Sequence, residues 1–254
     1  MRQEILGCAI DNLSMQQTLD RVGTMIASGL PHQHVVLNAD KVVKAARDPE
    51  LARIISRCDL INADGMPVVW ASRLLGQPLP ERVTGIDLFF KLLERAEQEG
   101  WRVYFLGARE EVVNEVVSRA RQQHPSLAIA GHRNGYWKPE QEQSVVDAVA
   151  ATRPDILFVA INSPRKEEFL AQYQREMRVP FAMGVGGTFD VMAGLTKRAP
   201  AWMQRHGFEW FYRFLQEPRR MFHRYFIDDM GFFWLLARAL VQRQLGLRST
   251  ATRV

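Results

Sequence analysis

The chain has 254 residues, 47% of them hydrophobic and 24% charged, with a formal net charge of +5, the make-up of one globular domain or of one domain with an appendage. Cys8 and Cys58 stand in no CxxC or CxxH pair and the histidines show no ligand spacing, which argues against a structural zinc and makes both cysteines small core residues. The first residues, MRQEILGCAI, lack the charged start, long apolar stretch and cleavage site of a secretory signal, so the expected compartment is the cytoplasm.

Along the chain, short apolar runs alternate with amphipathic stretches up to about residue 195. This is the rhythm of an α/β fold, a Rossmann-like, mostly parallel sheet with helices on both faces. The predicted strands are Glu4 to Ala9, His34 to Leu37, Leu60 to Asn62, Arg102 to Gly107, Leu127 to Gly131, Ile156 to Ile161 and Phe181 to Val185. Apolar residues at three- and four-residue spacing predict helices over Leu13 to Ser28, Pro67 to Leu75, Ile86 to Gln98, Val112 to Gln123 and Glu140 to Ala151. Beyond them, residues 197–254 hold 11 of the 33 basic and 4 of the 28 acidic groups, and 12 of the 25 aromatic residues. The reading is a domain over 1–198 and a basic, aromatic helical appendage over 199–254.

In that appendage Trp202, Phe208, Phe211, Tyr212 and Leu215 recur at helical spacing, and Pro218 should end the helix. The apolar run Met230 to Val241 is too short, and with Arg238 too charged, to span a bilayer. Such a segment suits an anionic membrane surface, with Arg213, Arg219, Arg220 and Arg224 toward phosphates, or else a hairpin packed on the body or on a second subunit. A homo-oligomer therefore stays among the expected partners.

Ligands of open α/β sheets sit beyond the carboxyl ends of the strands. Here those ends read Asn38-Ala39-Asp40-Lys41, Asn62-Ala63-Asp64-Gly65, Gly107-Ala108-Arg109, Asn134-Gly135-Tyr136, Asn162-Ser163-Pro164 and Gly184-Val185-Gly186-Gly187-Thr188-Phe189-Asp190. The last run is a candidate phosphate cradle, because glycines let backbone N–H groups approach an anion. It is equally a tight strand-to-helix turn capped by Thr188 or Asp190. Neither GxGxxG nor GxxxxGK[ST] occurs. Asp64 could take a proton from an incoming hydroxyl, or could be an Asx-turn or helix N-cap before Met66-Pro67. Arg82 could face a departing diphosphate, or could form a surface salt bridge. No DxD triplet offers a divalent cation a carboxylate pair, so arginines and backbone amides are expected to do that work, with neither metal nor cofactor.

The blocks LNADK, NADGMPVVW, ERVTGIDLF, VYFLGA, NGYWKPEQ, FVAINSPRKEEF and GVGGTFDVMAGLTKRAPAWMQRHGFEWFYRFLQEPRR, in that order, resemble the WecG/TagA/CpsF family, glycosyltransferase family 26. The resemblance runs from about Leu37 to Arg220. It implies inverting, metal-independent transfer of a hexose from a UDP-sugar to an undecaprenyl-diphosphate-linked sugar, a polyprenyl-diphosphate acceptor, at the cytoplasmic face of the bacterial inner membrane. In that resemblance Asp64 is the general base and Arg82 steadies the leaving diphosphate. Asn38 and Lys166 line the acceptor side, and Gly107, Tyr136, Gly186, Gly187, Thr188 and Asp190 serve the donor. Where many members read SPKQE, this chain has Ser163-Pro164-Arg165-Lys166-Glu167, so Lys166 replaces a glutamine, and N-acetylmannosamine, N-acetylmannosaminuronic acid and glucose all stay open as the sugar. A xanthan-type glucosyltransferase extending lipid-linked glucose is the alternative inside the family. A nucleotide-dependent oxidoreductase would need the missing GxGxxG, and a nucleic-acid-binding module would use the basic aromatic tail; no nucleic-acid partner is expected.

Overall fold

The computed structural model describes residues 2–205, 207–216, 218, 222 and 230–245, without the side chains of Ala201, Arg205 and Arg213. In chain order the elements are β1 (Arg2–Ile5), β2 (Cys8–Asp11), α1 (Met15–Ser28), β3 (His32–Leu37), α2 (Ala39–Arg47), α3 (Pro49–Arg57), β4 (Leu60–Ala63), α4 (Met66–Leu74), α5 (Gly85–Glu99), β5 (Val103–Gly107) and α6 (Glu110–Gln123). They continue with β6 (Ile129–Arg133), a 3-10 turn at Pro139–Gln141, α7 (Glu142–Thr152), β7 (Ile156–Ala160), α8 (Arg165–Met177), β8 (Phe181–Gly184), α9 (Thr188–Met192), α10 (Ala201–Arg205), α11 (Glu209–Gln216) and α12 (Met230–Gln244).

Six strands form one sheet in the order β4-β3-β8-β7-β5-β6, every neighbouring pair parallel. Side chains alternate across a strand, so each strand feeds two cores. Val103 and Phe105 of β5, Phe158 of β7 and Met183 of β8 pack under α1, α5, α6 and α9. Tyr104, Leu106, Leu157, Val159 and Ala182 pack on the opposite face against α7 and α8. Strands covered on both faces read as continuous apolar runs, which is why β5 and β7 were visible as such. The predicted fold class is what the structure has: a mostly parallel α/β sheet between helical layers, followed by a helical C-terminal region.

Local chemistry sets the helix boundaries. Ser14 and Gln17 close a capping box on α1, and Gly29 ends it in a left-handed conformation. Thr84 caps α5 through the Asp87 N–H, and Gly100 ends it. Asn38 caps α2, and Asp48 caps α3 with Pro49 in its first turn.

Three expectations are corrected. The run Glu4 to Ala9 is not one strand: Leu6 (φ 53°) and Gly7 (φ 79°) turn it into a hairpin, β1 paired antiparallel with β2 apart from the main sheet. The aromatic stretch from Trp202 to Leu215 is not one helix, because Gly207 (φ 78°) separates α10 from α11. The sequence reading predicts no helix over α2, α3 or α8, and it reads the residues that open α2 and precede α8 only as strand-end loops. The run Met230 to Val241 does form a helix, and its Phe232 and Leu236 are buried in a core shared with Val42, Val43 and Leu51. Its other side leaves Phe233 49% and Trp234 64% exposed. No helix among the described residues is long and apolar enough to cross a membrane.

Candidate active site

The sheet order places three of the candidate loops side by side, because β4, β3 and β8 are consecutive neighbours. Asp64 leaves β4 beside the end of β3, its backbone N–H donating to the Leu37 carbonyl at 2.7 Å. Asn38 directly follows β3, and its Oδ1 accepts the Lys41 N–H at 2.9 Å. On the other side of β4, Val83 donates its N–H to the Ala63 carbonyl at 3.0 Å. Arg82 is thereby fixed next to the strand end that carries Asp64. Backbone hydrogen bonds thus assemble Asn38, Asp64 and Arg82 at one corner of the rim.

The N-cap of α4 is Gly65, not Asp64; its φ of 107° is one that a residue with a side chain adopts only under strain. The Asp64 carboxylate is therefore not consumed as that helix's cap.

Arg82 is paired, and inside the protein rather than on its surface. Its Nη1 lies 3.3 Å from Glu209 Oε2 with both side chains mostly buried, and its Nη2 donates to the Gln204 carbonyl at 3.4 Å. Arg198 extends this cluster, with Nη1 2.6 Å from Asp87 Oδ1 and Nε 3.6 Å from Glu209 Oε1. Burial by itself would raise the Asp87 carboxyl, but the hydrogen bonds from Arg198 and Thr84 outweigh it and hold it below the usual range.

After β8 the chain runs through Gly186 and Gly187 into α9. Nothing lies within 4 Å of where a Cβ on Gly186 would stand, so this loop borders open space. Thr188 is buried. The Asp190 carboxylate, in the first turn of α9, comes within 3.7 Å of the Cβ position of Gly187 and so flanks the same loop. Helix α9 has only five residues, too short for a substantial helix dipole, so any anion at this loop would meet its backbone amides.

Gly107 and Tyr136 lie elsewhere along the rim. Gly107 (φ 126°) ends β5, and a Cβ there would collide with the Ala160 backbone, so its position demands close packing of β5 on β7. Tyr136 follows β6, is 73% exposed, and donates its N–H to Asn134 Oδ1 at 2.9 Å. Three strand spacings of about 4.8 Å separate β6 from β8, roughly 14 Å along the rim. A ligand touching both Tyr136 and Gly186 has to be extended.

Lys166 lies beneath the rim. It is buried, its stem crosses Gly184 with carbons 3.2 Å from that residue's Cβ position, and its Nζ is 3.9 Å from Glu167 Oε1. Lys41 Nζ reaches the same oxygen at 2.7 Å. Burial would raise the Glu167 carboxyl, yet Lys41 and then Lys166 hold it below its ordinary range. Arg219, Arg220 and Arg224 lie outside the described residues, as does the Arg213 side chain.

The family described as Glycosyl transferase WecG/TagA/CpsF family matches residues 3–246. The chain belongs to this family. A relative from Bacillus spizizenii, named N-acetylglucosaminyldiphosphoundecaprenol N-acetyl-beta-D-mannosaminyltransferase, is 40% identical over 186 residues, 73% of this chain and 72% of its own. A Bacillus subtilis (strain 168) protein of the same name is 33% identical over 211 residues, 83% of this chain and 78% of its own. The glycosyl transferase family match spans both the sheet and α10 to α12.

The sequence reading names Arg82 and Asp64 but does not single out Lys41, Glu167, Arg198 and Glu209, which the fold brings into ion pairs near that corner. Their partners stand far off in the chain, Lys41 from Glu167 by 126 positions and Arg82 from Glu209 by 127. The KRAP and GFEW blocks were the available signal, and they were read only as part of a resemblance.

Proposed function

We propose that this chain transfers a hexose from a UDP-sugar to an undecaprenyl-diphosphate-linked sugar, with inversion and without a metal, at the cytoplasmic face of the bacterial inner membrane. The observation that carries the reading is the corner where β3 and β4 end, with a carboxylate (Asp64), an amide (Asn38) and a guanidinium (Arg82) held by backbone bonds beside the open Gly186-Gly187 loop. Asp64 takes the proton of the acceptor hydroxyl as it attacks the anomeric carbon. Arg82 stabilises the charge that grows on the departing diphosphate, which makes it worth more in the transition state than in the ground state. The amides of Gly186 and Gly187 approach the same diphosphate, and Asp190 accepts a hydroxyl of the donor.

Both relatives carry names specifying a β-linked N-acetylmannosaminyl product on N-acetylglucosaminyldiphosphoundecaprenol. That product supports UDP-N-acetylmannosamine as donor and lipid-linked N-acetylglucosamine as acceptor, inversion converting an α-linked nucleotide sugar into a β-linked product. The exposed Phe233 and Trp234 of α12 and the +7 charge of residues 197–254 support a membrane-facing role for the segment from 199 onward.

The test is turnover of UDP-N-acetylmannosamine, UDP-glucose and other UDP-hexoses against a synthetic polyprenyl-diphosphate N-acetylglucosamine, read by mass spectrometry of the lipid product. Transfer of one hexose residue is expected. Failure of every UDP-sugar on lipid-linked acceptors would remove the reading.

A further inference from the structure

A second arginine near Arg82 has unsatisfied donors. Arg198 gives Nη1 to Asp87 at 2.6 Å and has Nε 3.6 Å from Glu209 Oε1, an ion pair too long for a hydrogen bond. Among the described residues, its Nε and Nη2 are buried and make no hydrogen bond. Buried guanidinium donors without an acceptor are rare in folded proteins and call for an explanation. A ligand that supplies acceptors there is the simplest one.

The location identifies the ligand. Asp87 lies in the first turn of α5, which starts at Gly85 against Val36 of β3 and Met183 of β8, at the carboxyl ends of those strands. Glu209 bridges Arg198 to Arg82, one oxygen toward each guanidinium. Phe189 of α9, just after the Gly186-Gly187 loop, meets Phe89 of α5 with ring centroids 6.0 Å apart. The unsatisfied edge of Arg198 therefore belongs to the corner that holds Arg82, Asp64 and the glycine loop. A planar fork with two N–H groups that make no hydrogen bond matches two oxygens of a phosphate, and two arginines bridged by one carboxylate match the two phosphates of a diphosphate.

We infer that Arg198 is a diphosphate-binding residue, using its Nε and Nη2 edge on one phosphate while Arg82 serves the neighbouring one. The inference rests on the proposed function. Asp87 and Glu209 act as positioning residues, since each holds a guanidinium in place without itself suiting a phosphate.

Two diphosphates visit such an enzyme, that of the donor and that of the lipid acceptor. Isothermal titration of the full chain with UDP and, separately, with farnesyl diphosphate distinguishes them. The variant is Arg198→Lys, which keeps the charge beside Asp87 and loses the fork. A folded Arg198→Lys protein is expected to lose at least tenfold in affinity for one probe and less than threefold for the other, the weakened probe naming the source. Changes below threefold for both would overturn the inference. Should Arg198→Lys not fold, structures of the unaltered protein with each probe decide it: a phosphate oxygen within hydrogen-bond distance of Arg198 Nε or Nη2 supports the inference, and its absence in both overturns it. If the unaltered protein bound neither probe, the proposed function would fall with it; binding that ignores Arg198 sinks this inference alone.

Discussion

Arg82 and Glu209, 127 positions apart in the chain, form an ion pair at 3.3 Å that ties the loop before α5 to the start of α11. Glu209 also faces Arg198, so one carboxylate holds two guanidiniums. Glu209→Gln keeps the shape and removes that charge, leaving two mostly buried cations with Asp87 as the remaining carboxylate of the cluster. Loss of a partner from such a cluster costs about 1–3 kcal/mol. For a chain of this size that is a fall in Tm of several degrees, checked by thermal denaturation with and without added UDP. A variant that melts with the parent protein would mean the pair contributes nothing to the docking of α11.

Asp64→Asn retains the turn, because the N-cap of α4 is Gly65 and not Asp64. The substitution removes the carboxylate's charge and basicity while keeping its size and shape. It should lower kcat by roughly 10²- to 10⁴-fold with UDP affinity nearly unchanged, and Arg82→Lys should also be slow because an ammonium lacks the planar fork. Steady-state kinetics beside UDP titration separates the two quantities. A folded Asp64→Asn enzyme within about threefold of the parent kcat would move the search for the base to Asp40, Asp87 and Asp190.

Gly186 borders open space and its φ lies outside the left-handed range, so Gly186→Val can fold without a clash. A valine there would hold a diphosphate away from the loop amides. UDP affinity should fall by at least tenfold while the melting temperature stays put. Addition of EDTA should leave turnover intact, and turnover that requires a divalent cation would contradict a site built on arginines and amides.

His34 gives stability a pH dependence of known sign. It is buried, its Nε2 donates to Asn62 Oδ1 at 3.0 Å, and burial pulls its pKa from 6.5 down to about 4, the Asn62 hydrogen bond offsetting part of the shift and Lys41 adding to it. Between about 4 and 6.5 the unfolded chain binds the proton and the folded one does not, so stability rises with pH through that window. The full effect is roughly 3 kcal/mol, lost progressively on acidification from pH 6.5 towards 4. Denaturant titrations of the parent and His34→Gln at pH 7 and pH 5 should show a smaller pH difference in the variant. Equal differences would mean that other groups account for the slope.

The membrane-facing role of the C-terminal region is tested on α12 without cutting it off, because Phe232 and Leu236 are part of the core and a truncated chain would expose Val42 and Val43. Phe233→Ser with Trp234→Ser alters only exposed positions. The double variant should pellet less with anionic vesicles than the parent protein while keeping its melting temperature. Equal pelleting would place membrane contact, if any, on other residues.

The sequence by itself determined the alternation of strands and helices, because strands buried on both faces must be apolar throughout and amphipathic helices must repeat at 3.6 residues; β5, β7, α5 and α6 follow from those periods. It also determined which loops carry polar and glycine residues, since turn chemistry is local: Asn38, Asp64 and Gly186 were legible as strand-end residues. The hairpin at Leu6-Gly7 was not, because the apolar run continues unbroken through it and only the backbone conformation reveals the reversal. Tertiary structure alone decided the order β4-β3-β8-β7-β5-β6, and with it the gathering of Asn38, Asp64, Arg82 and Gly186 at one corner and the separation of Tyr136 from Gly186. It alone paired Lys41 with Glu167 and Arg82 with Glu209. The physical reason is that a charge finds its partner by distance in space, and no local pattern of residues encodes a contact that only the packing of remote elements creates.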